Sequence, residues 1–155
     1  MSLEHEFCLI SNTSDVKNFW MYRENSNRVI DSVVIHDDLI NYICDSLEWI
    51  PSKNPELTGT PKDRGLNYQG VTLFDKRSSE SLIRILSSWR DLFKSAPKTL
   101  ELTGDFVYDE KNEHILGEYE KLVFDRDEVI TLFEKVIAMS VYLAEGDYYL
   151  YHCGL

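Results

Sequence analysis

With 155 residues, 43% of them hydrophobic and 28% charged, the chain is long enough to bury roughly two thirds of its unfolded surface around one core, and its composition excludes a disordered protein. The formal charge of −11 opposes direct binding to nucleic acid or anionic lipid, which need positive charge to displace counterions, and points instead to a basic protein partner. The three cysteines, Cys8, Cys44 and Cys153, have no C-x-x-C spacing and are odd in number, so they read as reduced, buried thiols rather than a disulfide framework. Met1 to Glu6 has neither a basic start nor a following apolar region, and no run approaches the roughly 18 apolar residues of a membrane span, so the cytoplasm is the expected compartment.

In chain order, Glu6 to Ile10 reads as a first strand. The N-capping run Ser11 to Asp15 then opens a short helix with Val16, Phe19, Trp20 and Arg23 on one face. Arg28 to Ile35 fits a strand or an approach to a helix. From His36-Asp37-Asp38 a second helix follows, with Leu39, Ile40, Ile43, Cys44, Leu47 and Ile50 as its apolar stripe and Pro51 as its stop. Residues 51–65 hold three of the four prolines and read as a long exposed loop within a single domain spanning 1–155.

Gly65 to Pro97 is the clearest structural signal. A strand over Asn67 to Phe74 runs into a helix whose Leu82, Ile83, Ile85, Leu86, Trp89, Leu92 and Phe93 recur at helical spacing. Next, Leu100, Leu102, Phe106 and Tyr108 alternate with polar residues in a strand that pairs as an antiparallel hairpin with a second one at about His114 to Phe124. Asp125 as N-cap and Glu128 three residues on begin a last helix, which Gly146 ends, and Tyr148 to Cys153 forms a closing strand paired within the sheet. The fold class is α+β, an antiparallel sheet with helices packed mainly on one face.

The hairpin carries the anomaly. With its loop centred on Lys111, Leu100 faces Leu122, Leu102 faces Glu120, Gly104 faces Glu118, Phe106 faces Leu116, and Glu101 meets Lys121 on the other side. That register sets Glu118 and Glu120 on the apolar face. Burying unpaired carboxylates is costly, so either the hairpin projects past the core or a bulge near Gly104 or Gly117 re-aims it. Between Lys98 and Glu128 ten acidic residues stand against four basic ones, −6 of the total −11. Asp105, Asp109, Glu110, Glu113, Glu118 and Glu120 are therefore the candidate partner-binding residues, a concentrated acidic surface suited to steering a basic protein.

Other chemistry finds less support. Glu118 and Glu120 have the spacing of a glycosidase pair, but no sugar cleft accompanies them. His152 and Cys153 are strand neighbours pointing to opposite faces, the wrong geometry for a thiol–imidazole pair, while His5, His36 and His114 read as isolated surface or capping residues. No metal-ligand spacing, phosphate loop or dinucleotide motif occurs, so no catalytic residue, metal or cofactor is assigned. Tyr148, Tyr149 and Tyr151 without a basic groove read as sheet core rather than a base-stacking platform.

Over Gly65 to Leu155, the strand–helix, the acidic hairpin and the ending Gly146-Asp147-Tyr148-Tyr149-Leu150-Tyr151-His152-Cys153-Gly154-Leu155 together resemble the small acidic immunity proteins of bacterial polymorphic-toxin and contact-dependent growth inhibition systems. The resemblance implies a non-enzymatic cytoplasmic protein that binds a cognate toxin domain, often a nuclease, and blocks its active site or substrate groove with acidic side chains in place of phosphates. The alternatives are a small enzyme with a cleft between the 51–65 loop and the sheet, and a housekeeping adaptor or scaffold.

Overall fold

Along the first strand, β1 (Glu4–Ser11), Phe7 and Leu9 point to one side and Cys8 and Ile10 to the other, and all four are buried. Only a strand covered on both faces allows this. In the computed structural model, which describes residues 3–16, 28–54, 63–109 and 116–155, β1 lies in a four-stranded sheet. Its neighbours are β2 (Val29–His36) and β6 (Tyr148–Cys153), and β3 (Val71–Phe74) pairs with the far side of β6. Every pairing is antiparallel, in the order β2-β1-β6-β3. The closing aromatic strand thus runs between two neighbours, as its apolar composition requires.

The stretch that fits either a strand or a helix approach is β2. Its alternation settles the matter, with Val33 and Ile35 in the core and Ile30 and Val34 outward. The chain then enters α1 (Asp37–Leu47), where His36 is the N-cap and its Nδ1 accepts the Asp38 N–H at 3.1 Å. Of the expected helix near Val16 to Arg23, all but Val16 lies outside the described residues.

Two expectations about the middle of the chain need correction. The strand expected from Asn67 forms only over Val71–Phe74, because 67–70 turns instead: the Thr72 hydroxyl accepts the Asn67 N–H at 2.7 Å, and the Gly70 N–H reaches the Asn67 carbonyl. The base of the 51–65 segment is not an exposed loop. Ser52 and Gly65 are buried, Ser52 Oγ donates to the Gly65 carbonyl at 2.6 Å, and Lys53 exchanges two backbone hydrogen bonds with Leu73 at 2.8 and 2.7 Å. Lys53 therefore pairs with the β3 edge and covers part of it. Gly65 adopts φ 89°, the left-handed region that favours glycine, within reach of the Glu48 carboxylate. Residues 55–62 lie outside the described residues.

A single 3₁₀ turn at Lys76–Ser78, capped by Asp75 and Ser78 in reciprocal hydrogen bonds, leads into α2 (Ser79–Phe93). Burial pushes the Asp75 carboxyl up, but hydrogen bonds from Arg77 and Lys53 outweigh it and hold the group below the usual carboxylate range. The last helix, α3 (Arg126–Leu143), starts at the expected cap, with Asp125 accepting from the N–H groups of Asp127 and Glu128 at 3.0 and 3.1 Å. Gly146, at φ 85°, turns the chain into β6.

The three α-helices of the described residues pack on the sheet face that carries Phe7, Leu9, Val33, Ile35, Phe74 and Leu150. Phe93 of α2 and Phe133 of α3 stack at 5.9 Å, and Trp89 of α2 donates its indole N–H to Ser46 of α1 at 2.9 Å. The opposite face carries a second buried set of Cys8, Ile10, Val71, Leu73 and Tyr151. Of the cysteines expected to be buried, only Cys8 is; Cys44 and Cys153 are half-buried, and none of the three is in a disulfide. No helix among the described residues is long and apolar enough to cross a membrane.

The strands β4 (Thr99–Asp109) and β5 (Leu116–Asp125) form a separate two-stranded ribbon. Their register differs from the one centred on Lys111: Leu100 pairs with Phe124, Leu102 with Leu122 and Thr103 with Lys121, two residues further along β5 than expected. Then a bulge sets Gly104 and Asp105 opposite Glu120 alone, and pairing resumes at Phe106 with Tyr119, Val107 with Glu118 and Tyr108 with Gly117. The cause is the root of the ribbon. Leu100 is buried, and Leu102 and Phe124 pack beside it on the main core, so contact with α3 and the sheet fixes the pairing rather than symmetry about the loop.

Candidate functional site

Beyond its root the ribbon leaves the core, so both anticipated ways of exposing acid operate at once: it projects, and it is bulged. Because β5 is regular, its even-numbered residues stay on the core-facing side and its odd-numbered ones on the outer side. The extra residue in β4 turns its distal half over. Phe106 and Tyr108 therefore join Tyr119 on the outer face, with ring centroids 5.1 Å (Phe106–Tyr108) and 5.0 Å (Phe106–Tyr119) apart in edge-to-face contact. Glycine at 117 makes room for them, since a Cβ there would enter the Phe106 ring. The expectation that Phe106 and Tyr108 continue the apolar core stripe of Leu100 and Leu102 is overturned by this half-turn.

The other side of the ribbon holds acid. Glu120 faces the bulge, where a Cβ on Gly104 would lie 3.1 Å from both the Glu120 Cβ and a Leu122 methyl. Asp105, Glu120 and Thr103 line a polar groove of about 280 Å³ against the first turns of α1, which contribute Asp38, Asn41 and Tyr42. Glu118 follows one pleat further out, opposite Val107. Among the described residues no ion pair neutralises Asp105, Glu118 or Glu120. By contrast Glu101 is held by Lys121 at 3.0 Å, and Asp125 and Asp127 by Lys98 at 2.9 and 3.4 Å. That pairing draws the Asp125 carboxyl below its usual range and raises the Lys98 amine.

Of the six residues singled out from sequence, Asp105 and Glu120 meet in the groove and Glu118 stands beside it. Asp109 ends β4 opposite Leu116, and Glu110 and Glu113 lie outside the described residues. No family model, curated protein or solved structure matches the chain. The assignment of the site therefore rests on these residues and their geometry.

Sequence reading missed the α1 contribution, because nothing local connects Asp38 with Glu120. It also missed a buried polar chain at the other side of the α1 N-terminus. His5 and His152 are both 0% exposed. His5 Nδ1 lies 2.9 Å from His152 Nε2, His5 Nε2 lies 3.0 Å from Asp37 Oδ1, and the Tyr68 hydroxyl donates to the same carboxylate oxygen. In the neutral tautomer of His5 that donates from Nε2 to Asp37, Nδ1 accepts from His152 Nε2, and His152 Nδ1 faces the Thr72 hydroxyl at 3.4 Å. His5 is thus neither isolated nor at the surface, whereas His36 is the capping residue expected. Burial, and secondarily the neighbouring His5, push the His152 pKa down to about 3. Burial and the bond to Asp37 drive the Tyr68 hydroxyl well above its ordinary value. The chain is directional and enclosed, and its chemistry is that of a structural clasp joining β1, β3, β6 and α1.

Proposed function

We propose that this protein is a non-enzymatic, cytoplasmic binding protein of the immunity class, which captures a basic protein, a cognate toxin domain, on the acidic side of the β4–β5 ribbon. The observation that carries this reading is the set of carboxylates Asp105, Glu118 and Glu120 on a projecting ribbon, which no ion pair among the described residues neutralises, extended by Asp38 across the groove. Asp109, Glu110 and Glu113 extend the same acidic run in sequence. Like charges held together on a low-dielectric wall focus the field outward, which speeds encounter with a cationic surface and rejects anionic ones. For a nuclease toxin, carboxylates so spaced would occupy the positions of substrate phosphates. The mechanism is electrostatic capture followed by occlusion of the toxin's substrate groove.

The test is binding kinetics with the toxin domain encoded beside this gene, measured from low to physiological salt. Glu118→Lys and Glu120→Lys together should slow association about tenfold or more and flatten its salt dependence, with a smaller effect on dissociation. Unchanged affinity and salt dependence in that variant would remove the acidic ribbon from the interface.

A further inference from the structure

We infer that the outer face of the β4–β5 ribbon is a self-association surface, through which two copies of this chain pair. This goes beyond the acidic-side reading and does not depend on it. The face is built from Phe106, Tyr108, Tyr119 and Val123, which are 43%, 62%, 64% and 55% exposed. Among the described residues, the main core takes the ribbon at Leu100, Leu102 and Phe124, on the other side. Solitary exposed apolar residues are ordinary, but a contiguous patch on one side of a projecting ribbon is not. The rings hold one another in edge-to-face contact over Gly117, so the surface is ordered before anything meets it, and binding loses little side-chain entropy.

Charge selects the occupant. The whole chain carries −11, and two copies would repel through almost any acidic surface. Among the described residues the carboxylates on this face are paired, Glu101 with Lys121 at 3.0 Å and Asp125 with Lys98 at 2.9 Å, so the described part of the face is locally neutral. The carboxylates Glu118 and Glu120 alternate to the opposite side of β5. A basic partner is drawn to that opposite side, whereas a second copy, which brings the same neutral aromatic strip, meets no excess charge here. Such pairing is isologous, each strip against its twin around a two-fold axis. The four apolar side chains present roughly 450 Å² per copy, below the ~800 Å² per partner of a standard specific interface, which fits a weak dimer. Each copy would keep its acidic groove open.

Sedimentation velocity of the full chain from about 5 to about 200 µM tests this. The mass should climb from 18.1 kDa toward twice that value. Tyr119→Ser and Phe106→Ser should each weaken association about tenfold or more, as loss of a central aromatic anchor does. Glu118→Lys and Glu120→Lys, on the other side, should not weaken it. A monomer at the top concentration overturns the proposal and leaves the face to a different protein. A dimer indifferent to Tyr119 and Phe106 also overturns it. Should the serine variants lose the ribbon's structure by circular dichroism, hydrogen exchange of the unaltered chain decides. Amide protection in β4 and β5 must rise with concentration, and protection that stays constant overturns the proposal. Neither result bears on the acidic side, whose test is association kinetics with a toxin.

Discussion

Lowering the pH from about 7.5 to about 5 should cost this protein about 2 kcal/mol of stability through His152 alone. Folded, His152 stays neutral until about pH 3; unfolded, it titrates at its ordinary value of 6.5. The unfolded chain therefore takes up a proton that the folded one refuses. Stability from this group is intact above pH 6.5, declines as the pH falls below it, and stops declining only near pH 3. At pH 5 the loss is set by the unfolded pKa, about 1.5 pH units at 1.36 kcal/mol each, and hardly depends on how far below 5 the folded value lies. Burial explains the refusal first, with the neighbouring His5 second: both rings are 0% exposed, so an imidazolium at 152 would lose its hydration. Urea unfolding followed by tryptophan fluorescence at the two pH values measures the loss. Carboxylates also titrate in this range, so the comparison is with His152→Gln, whose amide can still donate to His5. The variant should be less stable at neutral pH but lose about 2 kcal/mol less on acidification. A pH dependence in His152→Gln equal to that of the unaltered protein would refute the reasoning.

Two further outcomes follow from the packing. Gly154→Ala should destabilise by about 1–3 kcal/mol in thermal or urea unfolding, because its Cβ would sit 2.7 Å from the Tyr68 carbonyl carbon, where 154–155 hydrogen-bonds to the 68–70 turn. Leu100→Ala should cost about 2–5 kcal/mol, since this buried ribbon residue belongs to the main core. A cost below about 1 kcal/mol would mean that the ribbon's root is not part of the cooperative unit.

Local signals carried the elements whose causes are local. Leu82, Leu86, Trp89 and Phe93 mark α2 by periodicity, Asp125 marks the start of α3 by its side-chain chemistry, and the apolar run of β6 announces a strand inside a sheet. What failed is decided over distance. The Asn67–Gly70 turn depends on Thr72 and the 154–155 backbone, and the ribbon register on Leu100 reaching the core. The His5–His152 contact joins residues 147 apart, beyond any window of periodicity. The acidic residues of the candidate site are visible as composition, and the cost of burying Glu118 and Glu120 leaves a projecting hairpin or a bulge near Gly104 or Gly117 as alternatives, without choosing between them. Which side chains share a face, and the part played by Asp38, required the fold.

The bulge also holds the two sides of the ribbon apart. It places two residues, Gly104 and Asp105, opposite Glu120 alone, between the pairs Thr103 with Lys121 and Phe106 with Tyr119. Were it straightened with both residues kept, Asp105 would pair with Tyr119 and Phe106 with Glu118, so Phe106 and Tyr108 would swing to the acidic side and Val107 outward. Removing one of the two residues instead leaves Phe106 opposite Tyr119 and every side chain beyond it on its present face. The aromatic side of β4 therefore depends on the kink at Gly104-Asp105, and a lineage can shorten the strand there by one residue without exchanging its faces.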